Sequence, residues 1–188
     1  AEQKVADMFS RRYFEHNAPN GEGVADLVGG MGYEYIVVGE NLALGDYEDD
    51  ERLVAAWMAS PGHRANILHP RFSEIGIAVG KGIFEGRTTW LAVQTFALPV
   101  SACPMPDSGF KTRITEHTLL LDALSRNLED RKRALDAYEP KQGAGWREQI
   151  QLYNALVEEY NRLAGETKAI IDLYNTQVLV ANTCISGE

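Results

Sequence analysis

Two cysteines in 188 residues are too few for a disulfide framework and allow at most one bridge. Positive charge is also scarce. Eighteen basic side chains stand against 27 acidic ones, a net charge of −9. That balance argues against nucleic acid as the main partner and against docking on anionic lipid. No run approaches the ~18–20 apolar residues of a membrane span. Nothing at Ala1-Glu2-Gln3-Lys4 resembles a secretory leader, as expected of a mature, trimmed or truncated chain. What is present is an ordinary folded composition, 45% hydrophobic and 24% charged, enough for one or two cored domains.

The composition changes near residue 100. Most of the 17 glycines precede Phe110, and residues 99–109 carry three prolines. The expected organisation is a mixed domain over 1–99, a Pro-rich linker over 100–107 and a helical hairpin over 108–184. Residues 1–106 hold 8 basic and 14 acidic groups, so the acidity belongs mostly to the first part.

Within 1–99, Val5, Met8, Phe9, Arg12 and Tyr13 have helical spacing, predicting a helix over 2–14. A second short helix runs from Val24 to Met31 and stops at Gly32. Tyr35 to Val38 reads as a short strand. Asp49 to Ala59 reads as a helix with acids at its start. Ser60 followed by Pro61 is an N-cap and first-turn pair opening a helix through Leu68. Residues 75–79 and 90–97 are β-rich, with Gly80 to Gly86 between them as a hairpin loop.

Residues 108–182 follow a different rule. Ile114, Leu121, Leu128 and Leu135 recur every seven residues, with Leu124 and Tyr138 between them and His117 and Arg131 as polar interruptions. After a turn over 140–145, a stripe steps by four and three through Trp146, Ile150, Tyr153, Val157, Tyr160, Ala164, Thr167, Ile171, Tyr174 and Val178. The pattern predicts two long antiparallel helices in a coiled-coil hairpin. Cys103 and Cys184 then fall at the base of that hairpin, where a disulfide would close a loop of about 80 residues and imply an oxidising compartment.

Three strings stand out in the first part. They are His16-Asn17-Ala18-Pro19-Asn20-Gly21, Gly39-Glu40-Asn41-Leu42 and Trp57 through Leu68, which includes Ser60-Pro61-Gly62-His63-Arg64-Ala65-Asn66. In this order, with Phe72 to Ile77 and Trp90 to Phe96 following, they resemble the bacterial branch of the CAP superfamily, the SCP-like domains of cysteine-rich secretory, antigen 5 and pathogenesis-related proteins. The resemblance covers residues 1 to about 98. It implies an α+β fold, an α–β–α sandwich, and an extracellular or surface-attached protein. It also implies a cleft whose His16, Glu40 and His63 hold a divalent cation (zinc, calcium or magnesium), with Asn41, Ser60, Arg64 and Asn66 in support. The family's fourth ligand position falls at Ser60, which is not a ligand type. Family members open with a further helix, whose absence would leave an exposed apolar patch on one sheet face.

Two imidazoles and a carboxylate are a usable zinc set with one position open for water. The spacings of 24 and 23 residues carry no metal signal by themselves. Glu40 capping backbone amides and His63 satisfying its own helix start are the plainer readings. Ser60 lacks a nucleophile elbow. His69, ahead of Pro70, suits a helix end, and His117 suits the hairpin seam. Asn41 and Asn66 are expected to bond backbone in loops. The leading expectation is a cleft that binds a cation, small ligand, lipid or peptide, with an arm for self-association or partner docking. A metal-assisted hydrolase using His16, Glu40 and His63 is the second. A surface-assembly protein with a vestigial cleft is the third.

Overall fold

The computed structural model describes residues 1–187, and they divide into two compact units between Cys103 and Pro104. The first contains α1 (Glu2–Arg11), α2 (Val24–Gly30), β1 (Tyr35–Gly45), α3 (Asp50–Ala59), α4 (Pro61–Ile67), β2 (Glu74–Phe84) and β3 (Arg87–Pro99), closed by a 3-10 turn over Val100–Ala102. The strands form one antiparallel sheet in the order β1-β3-β2.

Strand alternation gives this sheet two covered faces. On one, Leu42, Leu91 and Val93 pack under Val5 and Met8 of α1, with Phe84 closing the cluster. On the other, Ala43 and Ala92 pack under Leu53 and Trp57 of α3, with Ile67 of α4 alongside. This is the α–β–α sandwich, with α1 on one side and α3 and α4 on the other. The second face is covered only in part. Ile75, Ile77, Val79 and Ile83 alternate along β2 on the Ala92 side, and all four are exposed. An apolar stripe is therefore present on the edge strand.

The strands run further than the periodicity predicts. β1 continues through Gly39, Glu40 and Asn41 to Gly45 because these polar residues are ladder members, paired in register with Phe96, Thr95 and Gln94. The expected glycine loop between β2 and β3 is also strand. The hairpin turns on Glu85 and Gly86 alone, both at positive φ (50° and 78°), as a tight two-residue turn requires. Gly80 and Gly82 serve the helix above them. A Cβ on Gly80 would lie 2.7 Å from Val5 Cγ1, and one on Gly82 would lie 2.8 Å from the Phe9 ring. Their lack of side chains lets α1 approach the sheet closely. α1 stops sooner than predicted, at Arg12, which takes a left-handed conformation.

The second unit is α5 (Ser108–Asp136) and α6 (Gly143–Ser186), roughly 43 and 66 Å long. Asp107 caps α5 by accepting from the Gly109 N–H at 2.8 Å. The cross-helix pairs step up one helix as they step down the other. Asp107 N–H donates to Gln177 Oε1 (2.9 Å), His117 Nδ1 meets Thr167 Oγ1 (3.1 Å), and the Tyr138 and Trp146 rings sit 5.7 Å apart. The helices are antiparallel neighbours. His117 takes the seam position read for it.

The α5 seam is the expected one. Ile114, His117, Leu121, Leu124, Leu128, Arg131, Leu135 and Tyr138 are all half-buried. The α6 seam is so only in part. Its most buried residues are Leu163, Thr167, Ile170 and Ala181, whereas Ile171 is exposed. A second line steps by four and then three, through Gln149, Tyr153, Leu156, Tyr160, Leu163, Thr167, Ile170, Tyr174 and Gln177, and shares Tyr153, Tyr160, Thr167 and Tyr174 with the expected stripe. Glutamines at 149 and 177, beside apolar Ile150 and Val178, make the neighbouring column look more continuous in the sequence. Cys103 and Cys184 are both disulfide-bonded, and no free cysteine is present among the described residues.

Candidate functional site

Glu40 and Asn41 are adjacent on β1 and therefore face opposite sides of the sheet. Asn41 shares its side with Ala43, and Glu40 shares its side with Leu42. This alternation decides where each predicted site residue goes.

On the α3/α4 side, Asn41 is fully buried. Its Nδ2 donates to the His63 carbonyl and to Gln94 Oε1, both at 3.0 Å, and its Oδ1 accepts from Asn66 Nδ2 at 2.9 Å. Asn66 also donates to the Glu40 carbonyl at 3.2 Å, and Trp57 Nε1–H donates to the Leu42 carbonyl at 3.2 Å. Neither Asn41 nor Asn66 lies in a loop. Strand β1 and helix α4 carry them, and their amides join the two elements. The motif glycine belongs to the same side: a Cβ on Gly39 would sit 2.6 Å from the Phe72 ring, which stacks on Phe96.

On the α1 side, Glu40 Oε1 accepts from His16 Nδ1 at 2.9 Å. The Glu40 side chain is buried, while the imidazole is 62% exposed. Glu40 Oε2 is buried without a hydrogen-bond partner. Burial pushes the carboxyl above its ordinary range, opposed by the His16 hydrogen bond and by the positive charges of Lys4, His16 and the Ala1 terminus. Lys4 is itself buried, at 4% exposure, and its Nζ donates to the His16 carbonyl at 2.7 Å. Lys4 also lies 4.9 Å from the Tyr13 ring centroid. Burial lowers its pKa, with the nearby Glu40 and Asp7 charges opposing.

The expected three-ligand set is not assembled. His16 and Glu40 form a pair, while His63 sits on α4, which packs on the other face and brings its backbone carbonyl to Asn41. Among the described residues no group of three His, Cys, Asp or Glu side chains converges as metal ligands do. Ser60 holds the N-cap position of α4 without a side-chain capping bond, so Pro61 is the stronger helix-start signal. Arg64 lines a cavity of about 420 Å³ with Met58, Pro61 and Leu68, not the His16 site. His69 Nδ1 accepts from the Arg71 N–H at 3.2 Å.

Lys4 and Gln94 escaped the sequence reading. Lys4 falls four residues before Met8, on the edge of the α1 apolar face, and that spacing was the available signal. Gln94 alternates with apolar neighbours in β3 and carries no signal of its role.

Residues 1–94 match the cysteine-rich secretory protein (CAP) family. The chain belongs to that family. A curated relative, the uncharacterized protein YkwD of Bacillus subtilis (strain 168), is 39% identical over 90 residues, covering 48% of this chain. The chain spans only 33% of that relative's length. An extracellular protein containing a SCP domain from Bacillus anthracis str. Ames is 25% identical with a TM-score of 0.39, over 50% of this chain and 29% of that one. The CAP domain thus occupies the first unit, and the family match does not reach the helical hairpin.

Proposed function

We propose that this is an extracellular or surface-attached bacterial CAP protein whose cleft at His16 and Glu40 binds a small ligand, lipid or peptide, with the hairpin as an arm for self-association or partner docking. The disulfide between the chain's two cysteines supports the location, because such bonds persist in oxidising compartments.

The observation that carries the ligand reading is Glu40 Oε2. A buried polar atom left without a partner is costly and rare, and here it is a strong acceptor. Thr95, the cross-strand neighbour of Glu40, lines a cavity of about 360 Å³ with Val28, Met31, Ile75 and Ala97. The fitting ligand brings an N–H or O–H donor on an apolar body. The donor meets Glu40 and the body fills the recess.

Ligand-observed saturation-transfer NMR tests this with hexanamide and 1-hexanol as probes and methyl hexanoate as the donor-free control. Hexanamide and 1-hexanol should give signal with the wild type and with His63→Ala, and lose it with Glu40→Leu. Equal signal from Glu40→Leu, or from the ester, would sink the reading.

A further inference from the structure

The cation that CAP sites are expected to borrow from solution is replaced here by one the chain supplies. We infer that Lys4 is the resident cation of the His16–Glu40 site, and that its ammonium closes the site to divalent metal. The inference rests on reading this pair as the binding site.

Four observations converge on it. Lys4 is buried on a helix whose other charged residues are exposed or half-buried, so its position is built rather than incidental. A buried ammonium is stable only beside compensating groups. Its bond to the His16 carbonyl fixes the backbone that carries the imidazole. His16 bridges the two charges, its carbonyl held by Lys4 Nζ at 2.7 Å and its ring by Glu40 Oε1 at 2.9 Å, which brings the ammonium to the carboxylate's side of the sheet. His16 Nδ1, one of the two nitrogens a metal could take, is spent on Glu40 Oε1. A divalent ion arriving at Glu40 would meet an ammonium of like charge and would have to break the His16–Glu40 bond.

Lys4 is thus a positioning residue. It holds the His16 backbone and balances Glu40 while leaving Oε2 free to accept from a neutral donor.

Zinc is the probe for the test, titrated by calorimetry into the full chain. Lys4→Met keeps the length of the side chain and removes its charge. It should bind zinc at least tenfold more tightly than the wild type, and the gain should vanish in Lys4→Met with Glu40→Gln. Lys4→Arg keeps the charge and should behave as the wild type. Equal zinc affinity in wild type and folded Lys4→Met would overturn the inference. A second measurement needs no variant. The His16 imidazole signals of the wild type should stay in place at equimolar zinc, and stoichiometric saturation of their shift would overturn the assignment. The two readings fail separately. Loss of the hexanamide signal difference with the zinc pattern intact removes the ligand reading and leaves Lys4 as the cation.

Discussion

Glu40 and Asn41 are neighbours in sequence, both buried and both polar, yet they are treated oppositely. Asn41 has partners for its carbonyl and amide, and these join β1 to α4 and to β3. Glu40 has a partner for one oxygen only. A fully satisfied buried network rigidifies a fold. A buried acceptor without a protein partner is a cost the fold carries for another reason. One residue of the Gly-Glu-Asn string therefore holds the domain together, and the next side over is where a ligand is expected.

The comparison can be broken most strongly at Asn41. Asn41→Ala leaves the His63 carbonyl and the Gln94 and Asn66 amides without a shared partner, and should cost about 3 kcal/mol in urea unfolding. A loss below about 1 kcal/mol would mean that the network is ornamental. Gly39→Ala forces the Phe72 ring away from a 2.6 Å approach and should cost about 1–3 kcal/mol by overpacking. The same melts read it, and an unchanged midpoint would contradict the close contact.

Glu40 should behave differently, through pH. Its carboxyl titrates above the ordinary value of 4.5 in the fold, so the folded state holds the proton more tightly than the unfolded chain does. Stability must then fall as pH climbs from the ordinary range to the raised one. Glu40→Gln lacks that fall. Its melting temperature relative to wild type should rise with pH over this window, and a constant offset would refute the assignment. His16→Ala should be the mildest change, under about 1 kcal/mol, because the imidazole is mostly solvated and water can replace it at Oε1. A larger loss would make His16 a structural residue like Asn41.

Much of this was legible in the sequence, for identifiable reasons. Helical spacing placed α1 and α2 within three residues of their ends, and Asp49 and Pro61 marked the starts of α3 and α4. The ordered strings around His16, Glu40 and His63 pointed to the family. The sites themselves were only half legible. Motif order cannot say which face of a strand a residue takes, and a shift of one position separates Glu40 from the α4 side. Lys4 was hidden because a lysine beside an apolar stripe usually snorkels to solvent. In the hairpin, the predicted α6 stripe fails only at Ile171, where its neighbour Ile170 is buried instead, and polar Gln149 and Gln177 hide the column to which Ile170 belongs.

The single disulfide has a consequence for how the chain survives cleavage. Cys103 precedes α5 and Cys184 lies in the last turn of α6, so the bond encloses all of α5, the turn and nearly all of α6. A protease that cuts once anywhere between residues 104 and 183 makes two pieces that remain one covalent molecule. The nick would be invisible on a non-reducing gel and would appear only after thiol is added. A single cut in the arm thus leaves it covalently joined to the CAP domain.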